Sequence, residues 1–342
     1  MKLLTIIIPC YNSEPFIERC LDSLLIGLDD KLEVFVINDG STDNTSKIAH
    51  QYSKQHPFIQ VIDKENGGHG SAINLGLKLA TGLYFKVFDS DDGLDRIGLL
   101  NLIFYIEKHL QDNTLPDIYF TDYYSVSDVD HSKVLVDIGS TFKKPNIVST
   151  YHNMKKMPFT GFLMMHMMYF KTSLLVDNKV EVLERCFYED NQLLFYAINY
   201  ASTLCYLDKP IYQYTVSRKG QSISLNKMSE NYQHQMRVMD ACYNKFDYET
   251  IISYDRYKRR AVFNDIDKLA FLALFYSHLQ ISKSQKTDYK YLIRTLKNND
   301  KALYRKIYHR SRVSVLGLFP YRIKVSFLKM SYSLFSKNLG WS

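Results

Sequence analysis

The sequence predicts an α/β fold, a mostly parallel sheet between helices followed by an α-helical extension, and three observations predict it. Short apolar, β-branched runs alternate with stretches of helical spacing from Leu3 to Phe88. Each of those runs ends in a loop of polar or small residues. From about Ser229 onward the pattern is almost wholly helical and rich in Tyr, Lys and Arg.

Taken in order, Leu3–Ile8 reads as a buried strand, Glu14–Leu28 as a helix and Leu32–Asn38 as the second strand. Ser41 opens a helix that runs to about His56, Ile59–Asp63 is a third strand, Ser71–Ala80 a third helix, and Leu83–Phe88 a fourth strand that stops at Asp89. This βαβαβαβ order calls for parallel strands with helices on both faces. Beyond Asp92 the pattern mixes: a helix over about Arg96–Leu110, a strand over Ile118–Tyr124, an apolar run Phe162–Phe170 and a helix from about Glu189. Two further strands follow, Thr203–Leu207 and Ile211–Val216, and then the loop from Ser217 to Ser222. The core is expected over residues 1–225 and the helical, basic extension over 226–342.

A chain of 342 residues, 46% hydrophobic and 23% charged, holds enough apolar material for a large core and excludes wholesale disorder. Five cysteines, with no CxxC pair, fit neither a disulfide framework nor a zinc cluster and are expected as reduced thiols of a cytoplasmic protein. The apolar run at Leu3–Pro9 is too short for a signal peptide. The stretch Leu269–Ile281, broken by Ser277 and His278, falls short of the roughly 20 residues that span a bilayer.

The formal net charge of +7 is unevenly placed: from Lys286 onward thirteen Lys or Arg face only Asp288 and Asp300, a local +11, leaving −4 for the rest. A non-catalytic protein that grips nucleic acid through this tail would leave the clustered acids upstream unexplained, and no nucleic-acid motif is present. The tail also interleaves its cations with apolar and aromatic residues, as in Tyr304-Arg305-Lys306-Ile307-Tyr308. That composition fits either peripheral attachment to an anionic membrane or a helical subdomain with a solvated basic face.

The chemistry concentrates in four loops at strand ends: Pro9-Cys10-Tyr11-Asn12, Asp39-Gly40-Ser41-Thr42-Asp43, Asn66-Gly67-Gly68-His69-Gly70 and Asp89-Ser90-Asp91-Asp92. In open α/β sheets ligands sit in the crevice beyond the carboxyl ends of the strands, so the four converge on one expected site. Carboxylates packed into one turn repel each other unless a cation neutralises them, and oxygen ligands suit Mg²⁺ or Mn²⁺. Each loop also has a purely structural reading: a solvated acidic turn, a helix cap at Ser41 or Thr42, or a glycine-rich anion loop that lacks dinucleotide spacing.

Together these loops, with Asn74, Gly76 and Ala80-Thr81-Gly82, resemble glycosyltransferase family 2 over residues 1 to about 100. The resemblance implies an inverting enzyme of the GT-A nucleotide-sugar-binding fold, a Rossmann-like, mostly parallel sheet between helices. It implies that Pro9 and Tyr11 border the nucleotide base, that Asp39 accepts a hydrogen bond from it, and that Asn66 and Gly67 belong to the donor site. Asp89 would lie near the ribose and sugar, Asp91 would ligate a divalent metal, Mn²⁺ or Mg²⁺, and Asp92 would support from behind. Cys186-Phe187-Tyr188-Glu189-Asp190 resembles the segment that carries the catalytic base, with Asp190 as base and Glu189 as the alternative. An acidic helix N-terminus has an independent explanation in the helix dipole.

His166, among methionines, is either a core histidine or a donor or acceptor contact. Arg218, Lys219, Gln221 and Ser222 resemble a segment that covers the donor diphosphate, though a charged surface loop reads the same way. The sequence lacks the QxxRW-like segment and the membrane spans of processive members, which implies one sugar per event. The expected partners are a nucleotide-sugar donor, a UDP-sugar above all, a glycan or lipid-linked acceptor of capsule, exopolysaccharide or wall-polymer assembly, and the inner face of the cell membrane. A sugar-phosphate nucleotidyltransferase would need a glycine-rich Arg/Lys loop after the first strand, which is absent here.

Overall fold

The computed structural model describes residues 1–156, 163–216, 224–279 and 283–310. The chain divides into two compact units, one of residues 1–155, 164–186 and 200–216 and one of residues 156–163, 187–199 and 217–342.

The first unit opens with β1 (Leu4–Cys10), α1 (Ile17–Asp22), β2 (Leu32–Asn38), α2 (Thr45–Gln55), β3 (Ile59–Asp63), α3 (His69–Leu79) and β4 (Tyr84–Val87). It continues through β5 (Gly93–Leu94), α4 (Arg96–Gln111), β6 (Ile118–Ser127), β7 (Lys133–Val136), β8 (Val148–Thr150), β9 (Met168–Lys171), α5 (Thr172–Asp177) and β10 (Thr203–Val216). All the strands join one sheet in the order β3-β2-β1-β4-β9-β6-β10-β5, with β7 on β6 and β8 on β10.

The expected parallel pairing holds from β3 through β4. Strand order runs outward from β1 to β3 and then reverses to place β4 on the other side of β1, which makes the β1/β4 gap the point where ligands collect in such sheets. Beyond β4 the sheet is mixed, because β9 runs antiparallel to both β4 and β6, whereas β10 pairs parallel with β6.

Three elements differ from the sequence reading: α2 begins at Thr45 rather than Ser41, with Asn44 and not Ser41 or Thr42 at its N-terminus, and two others differ more. The first helix is confined to Ile17–Asp22, since Ser13 and Glu14 are engaged with the start of α2: the Ser13 amide donates to Thr45 Oγ1 (2.7 Å) and the Glu14 carboxylate accepts from Asn44. The two strands expected on either side of Asp208–Pro210 are one, β10, which absorbs the proline through register shifts against β6 instead of ending.

Part of the motif set is structural. Glu33 on β2 is 7% exposed and accepts hydrogen bonds from Thr5 Oγ1 (2.6 Å), Thr81 N (2.9 Å) and Thr81 Oγ1 (2.8 Å), so Thr81 ties the start of β4 to β1 and β2. Asn74 of α3 exchanges two hydrogen bonds of 2.9 Å with the Val182 backbone. All five cysteines are buried thiols outside any disulfide, and burial first of all pushes the Cys10 and Cys205 thiols up to about 12, which leaves those two unreactive.

The second unit carries α6 (Asp190–Tyr200) up to Asn199, then α7 (Leu225–Glu230), α8 (Tyr232–Lys245), α9 (Tyr248–Ser253), α10 (Arg256–Tyr276), α11 (Lys283–Asn299) and α12 (Lys301–Arg310). α8 packs on α10 and α11, and α12 folds back along α11, with the Tyr308 and Tyr289 hydroxyls in hydrogen-bond contact. Ser277 caps the end of α10, which closes the long apolar stretch. Among the described residues no helix is long and apolar enough to cross a membrane.

Candidate active site

In the first unit the four polar loops are bonded to one another at the carboxyl ends of β1, β2, β3 and β4. Asn12, in the left-handed region at φ +50, donates its amide to Ser41 Oγ (2.9 Å) and accepts the Thr42 amide (2.8 Å), which locks the loops after β1 and β2 together. Ser13 and Ser90 hydroxyls meet at 2.7 Å and join the loop after β1 to the one after β4. Tyr11, beyond Pro9, is 55% exposed and presents an aromatic face beside this junction.

Asp39 organises the loop after β3. Its Oδ1 accepts the Gly67 amide (2.9 Å) and the Lys64 ammonium (2.6 Å), its Oδ2 accepts the Gly68 amide (2.7 Å), and Asn66 Nδ2 donates to its carbonyl (2.9 Å). The carboxylate is 3% exposed and is answered by a cation and two amides, the pairing a buried charge needs. Gly68 has φ +86, and a Cβ there would lie 3.1 Å from the Arg185 backbone. Backbone cannot give way as a side-chain tip does, so Gly68→Ala should lower stability by about 1–3 kcal/mol, read from urea denaturation; an unchanged midpoint would show that the loop re-forms elsewhere.

The turn after β4 is held from three directions. The Asp89 amide donates to the Tyr212 hydroxyl (3.1 Å), which donates in turn to Asp92 Oδ2 (2.7 Å), and the Thr215 amide donates to Asp92 Oδ1 (2.7 Å). The Asp91 carbonyl accepts from Thr215 Oγ1 and from the Arg19 guanidinium, both at 2.8 Å. Asp92 is therefore 1% exposed and turned into β10, and burial, with repulsion from Asp91 and Asp89, pushes its carboxyl well up. Burial raises Asp89 as well, but the hydrogen bond from His69 (3.2 Å to Oδ1) and its charge override that and hold the carboxyl below the usual range.

Beneath the turn lies a fully buried cation. Lys86 of β4 is 0% exposed, its ammonium donates to the carbonyls of Met165 (3.1 Å), His166 (2.7 Å) and Met168 (3.1 Å), and it sits over the Tyr169 and Tyr212 rings at 4.6 and 4.7 Å. Burial drives its pKa well down and Asp89 and Asp92 pull it back; three acceptors at once require three N–H groups, which only the protonated amine has. His166 is 7% exposed, stacked on Tyr214 at 4.8 Å and edge-on to Tyr123 at 4.1 Å. Burial and then Lys86 push it down to about 3, so it is neutral, and its Nε2 has no partner among the described residues.

Asp190 and Glu189 belong to the second unit. Asp190 opens α6, is half-buried and has Asn191 Nδ2 at 3.1 Å, whereas Glu189 is 2% exposed and its carbonyl accepts the amides of Gln192 and Leu193. Tyr188, just before them, holds φ +69, unusual for a bulky residue. Arg218, Lys219, Gln221 and Ser222 lie outside the described residues.

The first unit thus brings together Pro9, Tyr11, Asp39, Asn66, Gly67, Asp89, Asp91, Asp92 and His166. The sequence reading missed Arg19, Lys64, Lys86, Tyr212 and Thr215, and quoted His69 without a role. Lys86 had a visible signal, a cation inside an otherwise apolar strand. Tyr212 and Thr215 had none, because their partners lie more than a hundred residues away. As a metal site the turn offers Asp91, with Asp89 beside it, while Asp92 is occupied by β10. Among the described residues no three His, Cys, Asp or Glu side chains are grouped to hold a metal by themselves. Such a set fits Mg²⁺ or Mn²⁺, which take one or two carboxylates plus phosphate and water.

Comparison with known proteins bears on the family and the fold. The profile of the family described as glycosyl transferase family 2 matches residues 5–176. The uncharacterized glycosyltransferase EpsJ of Bacillus subtilis is 29% identical over 254 residues, 72% of this chain and 71% of its own. The structure of S. aureus TarS 1–349 in complex with UDP-GlcNAc superposes with a TM-score of 0.66 at 22% identity, over 98% of this chain and 92% of that one. A mannosyltransferase from Pyrobaculum calidifontis, solved with GDP-Man and Mn²⁺, reaches 0.55 at 17% identity, over 98% and 85%.

Proposed function

The chain belongs to glycosyltransferase family 2, and from that premise we propose that it moves one sugar per event, with inversion, from a UDP-sugar to a hydroxyl of a glycan or lipid-linked acceptor. The observation that carries this reading is the set of four interlocked loops at the β1/β4 switch point, with a carboxylate turn at its centre. The biology is the assembly of a capsule, exopolysaccharide or wall polymer at the cytoplasmic face of the membrane, reached through the basic extension. Residues 1–225 form the catalytic portion and 226–342 the extension.

In the reaction the acceptor oxygen attacks the anomeric carbon as Asp190 takes its proton, and the bond to the nucleoside diphosphate breaks with the electron pair leaving on the phosphate oxygen. Tyr11 and Pro9 border the base. Asp39 keeps one lone pair of Oδ2 for a base N–H, since Oδ1 is already taken by Gly67 and Lys64. Asn66 and Gly67 hold that loop against Asp39, and Asp89 orients the ribose and sugar. Asp91 would hold Mn²⁺ or Mg²⁺, which would supply positive charge to screen the leaving diphosphate. Arg218, Lys219, Gln221 and Ser222 cover the diphosphate, and His166 contributes a neutral hydrogen-bonding edge toward the sugar or acceptor.

Calorimetry with a panel of nucleotide sugars, with and without Mn²⁺, on wild type and Asp91→Ala tests this reading. Metal-dependent binding of one donor, lost by at least about tenfold in the variant, is expected. Equal donor affinity in Asp91→Ala would remove the metal assignment, and no binding of any donor would favour a non-catalytic role.

A further inference from the structure

The outward face of α11 carries cations and an exposed ring with no apolar role in the fold. Gln285, Tyr289, Leu292 and Leu296 are buried and form the inner stripe, while Lys286, Lys290, Arg294 and Lys297 are exposed. At 100° per residue those four cations fall within about 80° of arc, whose centre lies about 130° round the helix from the buried stripe. Tyr291 lies about 60° beyond this arc, on the side of Arg294, and is 73% exposed, the most exposed large ring among the described residues.

Both acids of the segment are engaged elsewhere. Asp288 accepts the Tyr232 hydroxyl (2.6 Å) and Gln233 Nε2 (3.2 Å), and Asp300 caps the start of α12 through the Leu303 amide (2.8 Å) while accepting the Tyr248 amide (2.8 Å). The carboxylates that would soften the cationic face are thus spent on holding α11 and α12 to their neighbours. Along the second helix of the hairpin Lys301 and Arg305 are exposed one turn apart.

We propose that the α11 face, Lys286, Lys290, Arg294 and Lys297 with Tyr291, is where this protein docks on an anionic lipid surface. The proposal rests on the membrane-attached reading above and gives it a defined surface. Two observations favour lipid over a soluble polyanion. An aromatic ring left 73% exposed one turn from Arg294 matches the interfacial position, apolar body inward and hydroxyl at the headgroups. The sequence that follows α12 continues the same composition, with Arg312, Arg322, Lys324 and Lys329 set among Val, Leu, Phe and Tyr. Each cation near an anionic surface changes partition about five-fold.

The test is co-sedimentation of the whole 342-residue chain with vesicles of phosphatidylcholine alone and with about 30% phosphatidylglycerol, with polyphosphate as a soluble competitor. Wild type should bind the anionic vesicles and release in salt. Lys290→Glu with Arg294→Glu should bind at least about thirty-fold more weakly, and Tyr291→Ala about five-fold, with unchanged melting because all three side chains are exposed. A full-length variant with Arg322, Lys324 and Lys329 changed to Gln separates the face from the rest of the extension. If the double Glu variant sediments like wild type while the triple Gln variant does not, the α11 face is wrong and the membrane reading stands. If wild type ignores the vesicles, or binds only polyphosphate, both fall.

Discussion

Asp190→Asn should slow sugar transfer by about two to four orders of magnitude while donor affinity stays within about a factor of two. The substitution keeps the shape of the side chain and the oxygen that faces Asn191 Nδ2, and removes only the ability to take a proton. Glu189 is a poor substitute, since at 2% exposure it is enclosed, and Glu189→Gln should therefore show itself in stability before it shows in turnover. The measurement is the rate of nucleoside diphosphate release with the acceptor present, beside calorimetric donor binding. A variant that keeps full turnover would move the base to another residue.

Lys86→Met should cost about 2–4 kcal/mol of stability, and Lys86→Arg no less. A lone buried charge is costly, and replacing it by a methionine of similar length removes that cost; against this, three carbonyls at 2.7 to 3.1 Å lose their shared donor. The carbonyl term wins because the ammonium is well solvated by them and by the faces of Tyr169 and Tyr212. A guanidinium cannot replace a compact three-pronged donor in this space. Urea denaturation decides the matter, and a methionine variant as stable as wild type would show that the segment carrying His166 is held by packing alone.

The order β1 to β4, with its three helices, was legible because β1 and β2 are rich in apolar, β-branched residues and the segments between the strands carry helical spacing. Beyond Asp92 legibility fell, since β9 and β10 owe their places to partners far along the chain and not to local pattern. The same division runs through the site. The carboxylates and glycines proposed to carry the chemistry are grouped in short loops that a reader of the sequence meets as motifs. The residues that fix them, Lys64 beside Asp39, Lys86 under the turn, Tyr212 and Thr215 on Asp92, are single side chains on other elements. Asp92 illustrates the limit: by spacing it belongs with Asp89 and Asp91, and only the approach of β10 turns it inward.

Small free anions such as phosphate should be weak rivals of the donor at this site. A glycine-rich turn that leads into a helix ordinarily offers its amides to any anion. Here the Gly67 and Gly68 amides are already bonded to the carboxylate of Asp39, and Lys64 is bonded to the same group. These two amides and this cation are paired from within, and in the proposed role the remaining acceptor capacity of Asp39 would select for a molecule that brings an N–H of its own. Selectivity for a nucleobase and indifference to bare phosphate would then be two aspects of one internal pairing.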